Sequence, residues 1–126
     1  IFFVIEGTMS FLVGDRVDTD AGTLSHGETQ WLELGMLIEQ RPKVILLDEP
    51  TAGMTEAETM KTAAIIKAMR GAHTLVVVEH DMAFVKEIAN RITVMHLGKV
   101  LAEGTVESIE NNQAVRDAYL GSKGIV

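Results

Sequence analysis

The sequence predicts an α/β fold, with a parallel sheet flanked by helices, and two observations support it. Apolar runs of strand length, Val44–Leu47 and Leu75–Val78, alternate with segments whose apolar residues recur at helical spacing. Each run also ends in polar groups, beginning with Asp48 after the first and Glu79 after the second. Continuous apolar strands are typical of parallel sheets that are covered on both faces, so both strands are expected to be buried.

Caps mark the starts of the two long helices. Ser25 stands three positions before Glu28, which is the spacing of a capping box, and its helix is predicted to run to about Gln40. Thr55 caps a second helix, predicted over residues 56–69, which a following glycine ends. Both helices are expected to pack on the sheet.

The other elements are shorter. Residues 1–20 contain two β-like stretches that predict a hairpin, and a Gly-Lys turn predicts a second hairpin near the end of the chain. Strands are predicted over residues 1–5, 8–13, 44–47, 75–78, 92–96 and 100–103, and short helices over 82–89, from 106 and over 113–120. Residues 1–20 match no motif, so we divide the chain into this segment and a domain over residues 21–126.

Composition limits the functional class. The 126 residues suffice for one domain with a core. The net charge of −7 disfavours a nucleic-acid binder, and the absence of cysteine excludes disulfides and thiolate metal sites. No apolar run reaches the roughly 18 residues that span a bilayer, and Ile1–Ile5 lacks a preceding basic region, so neither a membrane helix nor a signal peptide is expected.

The adjacent carboxylates Asp48 and Glu49 are placed where ligands bind in open α/β sheets, beyond the carboxyl end of a strand. A Mg²⁺-nucleotide site uses one carboxylate in the metal shell and another to orient or deprotonate water. His80, after the next strand, suits a hydrogen bond to a phosphate or to that water. Each motif alone is also compatible with an ordinary turn or helix cap.

The loop that carries Ser25 and Gly27 opens the first long helix. A hydroxyl, free backbone N–H groups and the positive end of the helix dipole together suit a phosphate. A plain N-cap would account for the same residues.

In this order and at this compact spacing, the motifs resemble the C-terminal half of an ABC-type ATPase domain over residues 22–121. Residues 24–28 resemble the signature motif, 44–49 the Walker B strand with its catalytic Glu, 52–55 the D-loop, and His80 the switch histidine. The stretches LSHGETQWLELGM, DEPTAGMTEAE and VVVEHDMAFV resemble the ATP-binding subunits of branched-chain amino acid and urea or short-chain amide importers.

The resemblance implies that two ATPase domains enclose two ATP molecules. Asp48 would hold Mg²⁺ through water, Glu49 would polarise the attacking water, and His80 would contact the γ-phosphate. Ser25 and Gly27 would hold the γ-phosphate of the ATP bound to the second ATPase subunit. The implied partners are that subunit, transmembrane permease subunits and, indirectly, a solute-binding protein, at the cytoplasmic face of the plasma membrane.

Three positions of the implied nucleotide site depart from the family pattern. Glu28 stands where the signature usually has Gln, and a carboxylate near a γ-phosphate is repulsive unless it is paired or turned away. Thr55 stands where the D-loop usually has Asp or Asn, which weakens a cross-subunit hydrogen bond. His26 replaces the first signature glycine, as the urea branch tolerates.

The phosphate-binding loop is missing from the 126 residues. Such a loop needs Gly, four residues and then Gly-Lys-Ser/Thr, whereas the one Gly-Lys pair, Gly98-Lys99, is followed by Val100. We therefore expect the chain alone to hydrolyse ATP negligibly.

Two alternatives remain open at this point. A chromosome-maintenance or DNA-repair ABC-type ATPase often ends its signature in Glu, although this chain has no sustained heptads and is acidic. A non-catalytic domain that only dimerises with an intact ATPase would keep the same motifs without turnover.

Overall fold

The computed structural model describes residues 2–5, 8–11 and 20–119, in which strands and helices alternate. The strands are β1 Phe2–Ile5, β2 Thr8–Phe11, β3 Val44–Asp48, β4 Thr74–Val78, β5 Ile92–His96 and β6 Lys99–Gly104. The helices are α1 His26–Glu39, α2 Glu56–Met69, α3 Met82–Ile88, α4 Val106–Glu110 and α5 Gln113–Tyr119, with a short 3-10 turn over Ala21–Thr23. Each lies within a few residues of its prediction. The predicted extensions to Val13 and Leu120 fall outside the described residues.

Three two-stranded sheets occur among the described residues. β3 and β4 pair in parallel, with Val44 opposite Thr74 and Asp48 opposite Val78. β1–β2 and β5–β6 are antiparallel, as the two predicted hairpins require. The parallel sheet predicted for this fold therefore consists, in this part of the chain, of two strands. The described residues up to Phe84 form one compact unit, and those from Val85 onward form a second.

Both long helices begin at capping boxes, as predicted. The Glu28 N–H donates to Ser25 Oγ at 3.2 Å, and the Ser25 N–H donates to Glu28 Oε2 at 2.8 Å. At α2, Glu58 N–H donates to Thr55 Oγ1 at 3.3 Å, and Thr55 N–H donates to Glu58 Oε2 at 2.8 Å. Each box satisfies two N–H groups at a helix start, which is why these boundaries could be located from local sequence.

In the first unit, the core lies between the two long helices and one face of the β3–β4 sheet. Leu34 of α1, Ile45 of β3 and Met69 of α2 form its buried centre. Partly buried neighbours pack around them: Ile38, Leu47, Ile65 and Leu75. Alternate strand residues point to opposite faces of a sheet, so this core uses every second residue of β3 and β4.

The expectation that β3 and β4 are buried on both faces is wrong. Val44, Leu46, Val76 and Val78 lie on the face away from the helices and are 54%, 72%, 49% and 59% exposed. The apolar runs fit a sheet covered twice, but within the described residues α1 and α2 cover only one face. A continuous apolar sequence shows that a strand would be stabilised by burial of both faces. It does not show whether another element covers each face.

The second unit has its own small core. Ile92 and Val94 of β5 pack with Ile109 of α4, and all three are buried. The Tyr119 hydroxyl donates to the Met95 carbonyl at 2.6 Å, which attaches α5 to the hairpin. Arg91 Nε lies 3.0 Å from Glu103 Oε1 across the β5–β6 pair, and this contact lowers the pKa of the Glu103 carboxyl.

No helix among the described residues is both long and apolar enough to cross a membrane.

Trp31 joins α1 to α2 through a polar contact. Its indole N–H donates to Thr62 Oγ1 at 2.9 Å, and the Thr62 hydroxyl in turn lies 2.9 Å from the Glu58 carbonyl. Thr62 is 2% exposed, and Lys61 Nζ lies 5.4 Å from the centre of the Trp31 ring.

Replacing Thr62 by Val is expected to lower the free energy of unfolding by about 1–3 kcal/mol, because the Trp31 N–H loses its acceptor in a partly buried position. Urea unfolding followed by the fluorescence of the one tryptophan measures the change. Thr62→Ser is the matched control, since it keeps the hydroxyl and loses a methyl group. An equal loss in both variants would contradict the role of the hydrogen bond.

Candidate functional site

The carboxyl edge of the β3–β4 sheet brings together two of the predicted site residues. β3 ends at Asp48, and the next backbone N–H, that of Glu49, donates to the Val78 carbonyl of β4 at 2.8 Å. Glu49 then has a positive φ of 45°, in the left-handed region. In this conformation its Oε1 lies 3.3 Å from Nδ1 of His80. The parallel pairing explains this proximity, since both residues follow strands that end at one edge.

The Glu49–His80 pair is open to solvent, with side chains 52% and 81% exposed. A carboxylate in contact with an imidazole can share a proton with it or orient a water molecule beside the pair. Neither group is enclosed, so a substrate or water can reach both. The arrangement thus provides an acid–base pair at an accessible sheet edge.

Asp48 is an exposed carboxylate at the same edge, opposite Val78 in the register. Among the described residues, no group of three or more acidic, His or Cys side chains forms a ready metal centre. Mg²⁺ does not require one, because it is commonly held by one or two carboxylates together with water and substrate phosphates. A single exposed carboxylate beside an acid–base pair fits that mode of binding.

Glu79 is a residue of this edge that sequence reasoning treated only as the polar end of a strand. Its Oε1 accepts hydrogen bonds from the Thr51 hydroxyl at 2.6 Å and from the Thr51 N–H at 3.3 Å. Its Oε2 accepts from the His80 N–H at 3.2 Å. In the sequence, Glu79 is only an acidic residue between an apolar strand and a histidine. That pattern does not identify the hydrogen-bond partner of its side chain.

The signature residues lie at the N-terminus of α1, in a separate group. Ser25 and Glu28 bond to each other through the capping box, so the Glu28 carboxylate is paired with a backbone N–H. The Glu28 carboxylate is thus turned toward the backbone at the start of its own helix. Gly27 is buried, and a Cβ atom added there would lie 2.6 Å from Glu58 Oε1, so only glycine fits without movement of that side chain.

The start of α1 contacts the segment that resembles a D-loop. Nε2 of His26 lies 2.9 Å from the Ala52 carbonyl, and Gly53, with a φ of 74°, approaches the His26 ring. The Thr55 hydroxyl lies 2.9 Å from Glu58 Oε2, so this side chain is engaged within its own capping box. The turn after Asp48-Glu49 and the signature helix are therefore joined within one unit of the chain.

Glu58 titrates differently from an ordinary glutamate. The backbone N–H of Thr55, followed by its hydroxyl, lowers the pKa of the Glu58 carboxyl, and the nearby positive charges of His26 and Lys61 act in the same direction. Burial opposes this effect but is smaller. Hydrogen bonds to the ionised form thus dominate, as expected for an acidic residue in a capping box.

This shift predicts a pH dependence of stability. Because the folded pKa is below the ordinary value of 4.5, the stabilisation by ionised Glu58 is complete above that value. It is lost as the pH falls through the lower folded pKa. Unfolding free energies of the wild type and of Glu58→Gln, measured in urea from neutral to acidic pH, should therefore converge. Glu39→Gln, an exposed position at the C-terminus of the other long helix, α1, is the control, and a difference that persists in acid would contradict the assignment.

Comparison with known proteins gives a consistent result. The family model for ABC transporters matches residues 5–52, and that for the branched-chain amino acid ATP-binding cassette transporter matches residues 99–124. The chain is 42% identical to the high-affinity branched-chain amino acid transport ATP-binding protein BraF of Pseudomonas aeruginosa, over 80% of this chain and 40% of that protein. It is 38% identical to LivG of Escherichia coli, a protein of the same description, over 85% of this chain and 43% of that protein.

Solved structures agree with these relatives. A nucleotide-free ATP-binding cassette from an ABC transporter superposes with a TM-score of 0.72 at 25% identity, covering 81% of this chain and 42% of that one. An ATP-binding cassette in its ADP conformation gives 0.69 at 26% identity, covering 79% and 41%. The α/β fold class is confirmed, and the chain spans less than half the length of these relatives. From its motifs, its fold and these similarities together, the chain corresponds to the C-terminal half of an ATP-binding domain of the ABC transporter type.

Proposed function

We propose that the protein from which this chain derives is the ATP-hydrolysing subunit of an ABC importer. The observation that supports this most directly is the contact between Glu49 and His80, 3.3 Å apart beside the exposed Asp48. A carboxylate for metal, a second carboxylate for water and a histidine for phosphate are the groups that Mg²⁺-nucleotide hydrolysis requires. The names of the relatives BraF and LivG support branched-chain amino acids as the solute, and urea or short-chain amides remain the second choice.

In the proposed mechanism, the residues of the sheet edge divide the work. Asp48 is the residue that would hold Mg²⁺, which when bound neutralises charge on the phosphates. Glu49 accepts a proton from the attacking water or orients it, and its carboxylate lies 3.3 Å from Nδ1 of His80. His80 contacts the γ-phosphate, as the family resemblance implies.

The signature residues would act on the ATP bound to a second ATPase subunit. α1 is 14 residues long, and its N-terminus presents backbone N–H groups and a positive dipole to an anion. Ser25 adds a hydroxyl and Gly27 allows close approach of the phosphate to the backbone. Glu28 is drawn back onto the Ser25 N–H, which supports a signature that accepts a phosphate despite its carboxylate. Thr55 takes the D-loop position at the same interface.

The remaining partners follow from the importer assignment. Closure of the two ATPase subunits would drive a pair of transmembrane permease subunits, and a solute-binding protein would deliver the solute to them. The subunit would then lie on the cytoplasmic face of the plasma membrane. The chain as given would be inactive alone, because its 126 residues contain no Gly-x4-Gly-Lys-Ser/Thr sequence to cradle the phosphates.

A pair of hydrolysis assays tests the proposal. The purified chain with Mg²⁺-ATP is expected to show no rate above that of Glu49→Gln. A chimera in which residues 20–119 replace the matching part of Escherichia coli LivG is expected to hydrolyse ATP, and to lose this activity in Glu49→Gln. Glu49-dependent turnover by the chain alone would overturn its inactivity. A folded, dimeric chimera without turnover would overturn the catalytic assignment.

The two alternative functions receive less support. A chromosome-maintenance or DNA-repair ATPase would bind DNA in a salt-dependent manner, which a gel-shift assay detects. The net charge of −7 and the similarity to transport proteins argue against such binding. A non-catalytic dimerisation domain would raise or lower the ATP hydrolysis rate of intact LivG, and its own Glu49 would not contribute. The test adds the wild-type chain or its Glu49→Gln variant to intact LivG and measures that rate. Identical effects of the two chains would favour the non-catalytic function.

A further inference from the structure

We infer that Glu79 is a positioning residue that clamps the turn after Glu49 to the loop that carries His80. Glu79 belongs to the loop that carries His80, so one of its carboxylate oxygens bonds across to the facing turn and the other bonds to its own neighbour in the chain. Oε1 accepts from the hydroxyl and the N–H of Thr51, two residues after Glu49, and Oε2 accepts from the N–H of His80. The inference concerns the arrangement of the proposed catalytic pair, so its relevance to hydrolysis rests on the proposed function.

The Glu49–His80 pair needs an external constraint of this kind. Both side chains are more than half exposed, and an exposed ion pair at 3.3 Å contributes little energy and competes with water. Glu49 also holds a φ of 45°, a left-handed conformation that is uncommon for a residue with a side chain. The contact between the two side chains therefore contributes little to holding the pair in this geometry.

Glu79 is suited to supply that constraint. It is half-buried, and an ionised carboxylate accepts hydrogen bonds through both oxygens without donating any. Hydrogen bonds to a charged acceptor are stronger than neutral ones, and the 2.6 Å contact with the Thr51 hydroxyl is short. Because one side chain holds both segments, a displacement of either segment is transmitted to the other.

The clamp makes a specific prediction for His80. With Nδ1 facing the Glu49 carboxylate, the neutral imidazole should carry its proton on Nδ1. Without Glu79, the loop that carries His80 and the Thr51 turn lose the side-chain hydrogen bonds that join them beyond the end of the β3–β4 pair, and the proton should move toward Nε2. A residue that merely contributed to stability would lower the melting temperature without changing this tautomer.

Long-range ¹⁵N NMR of the full 126-residue chain, without nucleotide, tests the inference. In Glu79→Ala, we expect the His80 tautomer to shift from Nδ1–H toward Nε2–H. Amide exchange at Thr51 should accelerate by about 10-fold or more, the equivalent of losing one charge-assisted hydrogen bond. Glu79→Gln, which retains one accepting oxygen, should lie between the wild type and Glu79→Ala. Glu39→Ala, an exposed glutamate at the end of α1, is the matched control and should match the wild type.

The inference is overturned if folded Glu79→Ala keeps the wild-type tautomer and the wild-type exchange at Thr51. If Glu79→Ala does not fold, two variants of Thr51 decide instead. A shift of the His80 tautomer in Thr51→Val, with the wild-type tautomer kept in Thr51→Ser, supports the clamp. Any other result for this pair of variants overturns it. Since no ATP is present, a failure of the LivG chimera to hydrolyse ATP would leave these results unchanged, so the two proposals fail separately.

Discussion

Glu49→Gln is expected to lower the hydrolysis rate of the LivG chimera by about 100- to 10,000-fold, the range in which a positioned general base contributes. Gln has nearly the same shape as Glu and retains an oxygen near Nδ1 of His80, but it cannot take a proton from water. The change should therefore appear in kcat, while the affinity for ATP stays nearly constant. Steady-state hydrolysis and a nucleotide-binding titration on the same variant separate the two quantities.

Glu39→Gln provides the matched control for this measurement, because it is the same chemical change at an exposed position at the end of α1. It should leave both kcat and ATP affinity unchanged. If Glu49→Gln raised KM and left kcat intact, Glu49 would be a binding group, and the assignment of the base would have to move to another residue.

Ile66→Ala is expected to cause the largest loss of stability in the first unit, about 2–5 kcal/mol. Ile66 is 1% exposed in α2, among the most deeply buried large side chains described. Truncation removes apolar surface from the core and leaves a cavity. Because the capping box fixes the start of α2, the helix cannot easily move to close that cavity. Since domains of this size have total stabilities of about 5–15 kcal/mol, the variant should be close to unfolding.

Two other substitutions on the same helix calibrate that result. Ile66→Val removes one methylene and should cost about 0.5–1.5 kcal/mol. Met60→Ala, at a position that is 66% exposed, should change the free energy of unfolding by no more than about 0.5 kcal/mol. Equal losses for Ile66→Ala and Met60→Ala in urea unfolding would contradict the described burial of α2.

Helix boundaries were predictable because their determinants are local. A hydroxyl at Ser25 or Thr55 and a carboxylate three residues later satisfy N–H groups of their own helix, whatever the rest of the chain does. The pairing of β3 with β4 was also accessible, since an apolar strand, a helix and a second apolar strand lead to a parallel pair.

Burial and side-chain contacts between segments were less accessible. The outer face of β3–β4 is as apolar as the inner face, so its exposure at Leu46 and Val76 depends on what else packs there and not on its own sequence. The contact of Glu79 with Thr51 joins residues 28 positions apart, and a lone acidic residue does not specify such a partner. His80 could be placed beside Glu49 because both follow paired strands.

The left-handed backbone at Glu49 has a consequence for heat stability. Glycine adopts a φ of 45° freely, while a residue with a Cβ atom does so at a cost of about 1–2 kcal/mol. The carboxylate at position 49 is therefore present at the expense of stability, and a glycine there would relieve the backbone while removing the reactive group. Variants at position 49 that tolerate heat better should be the ones that have given up the carboxylate.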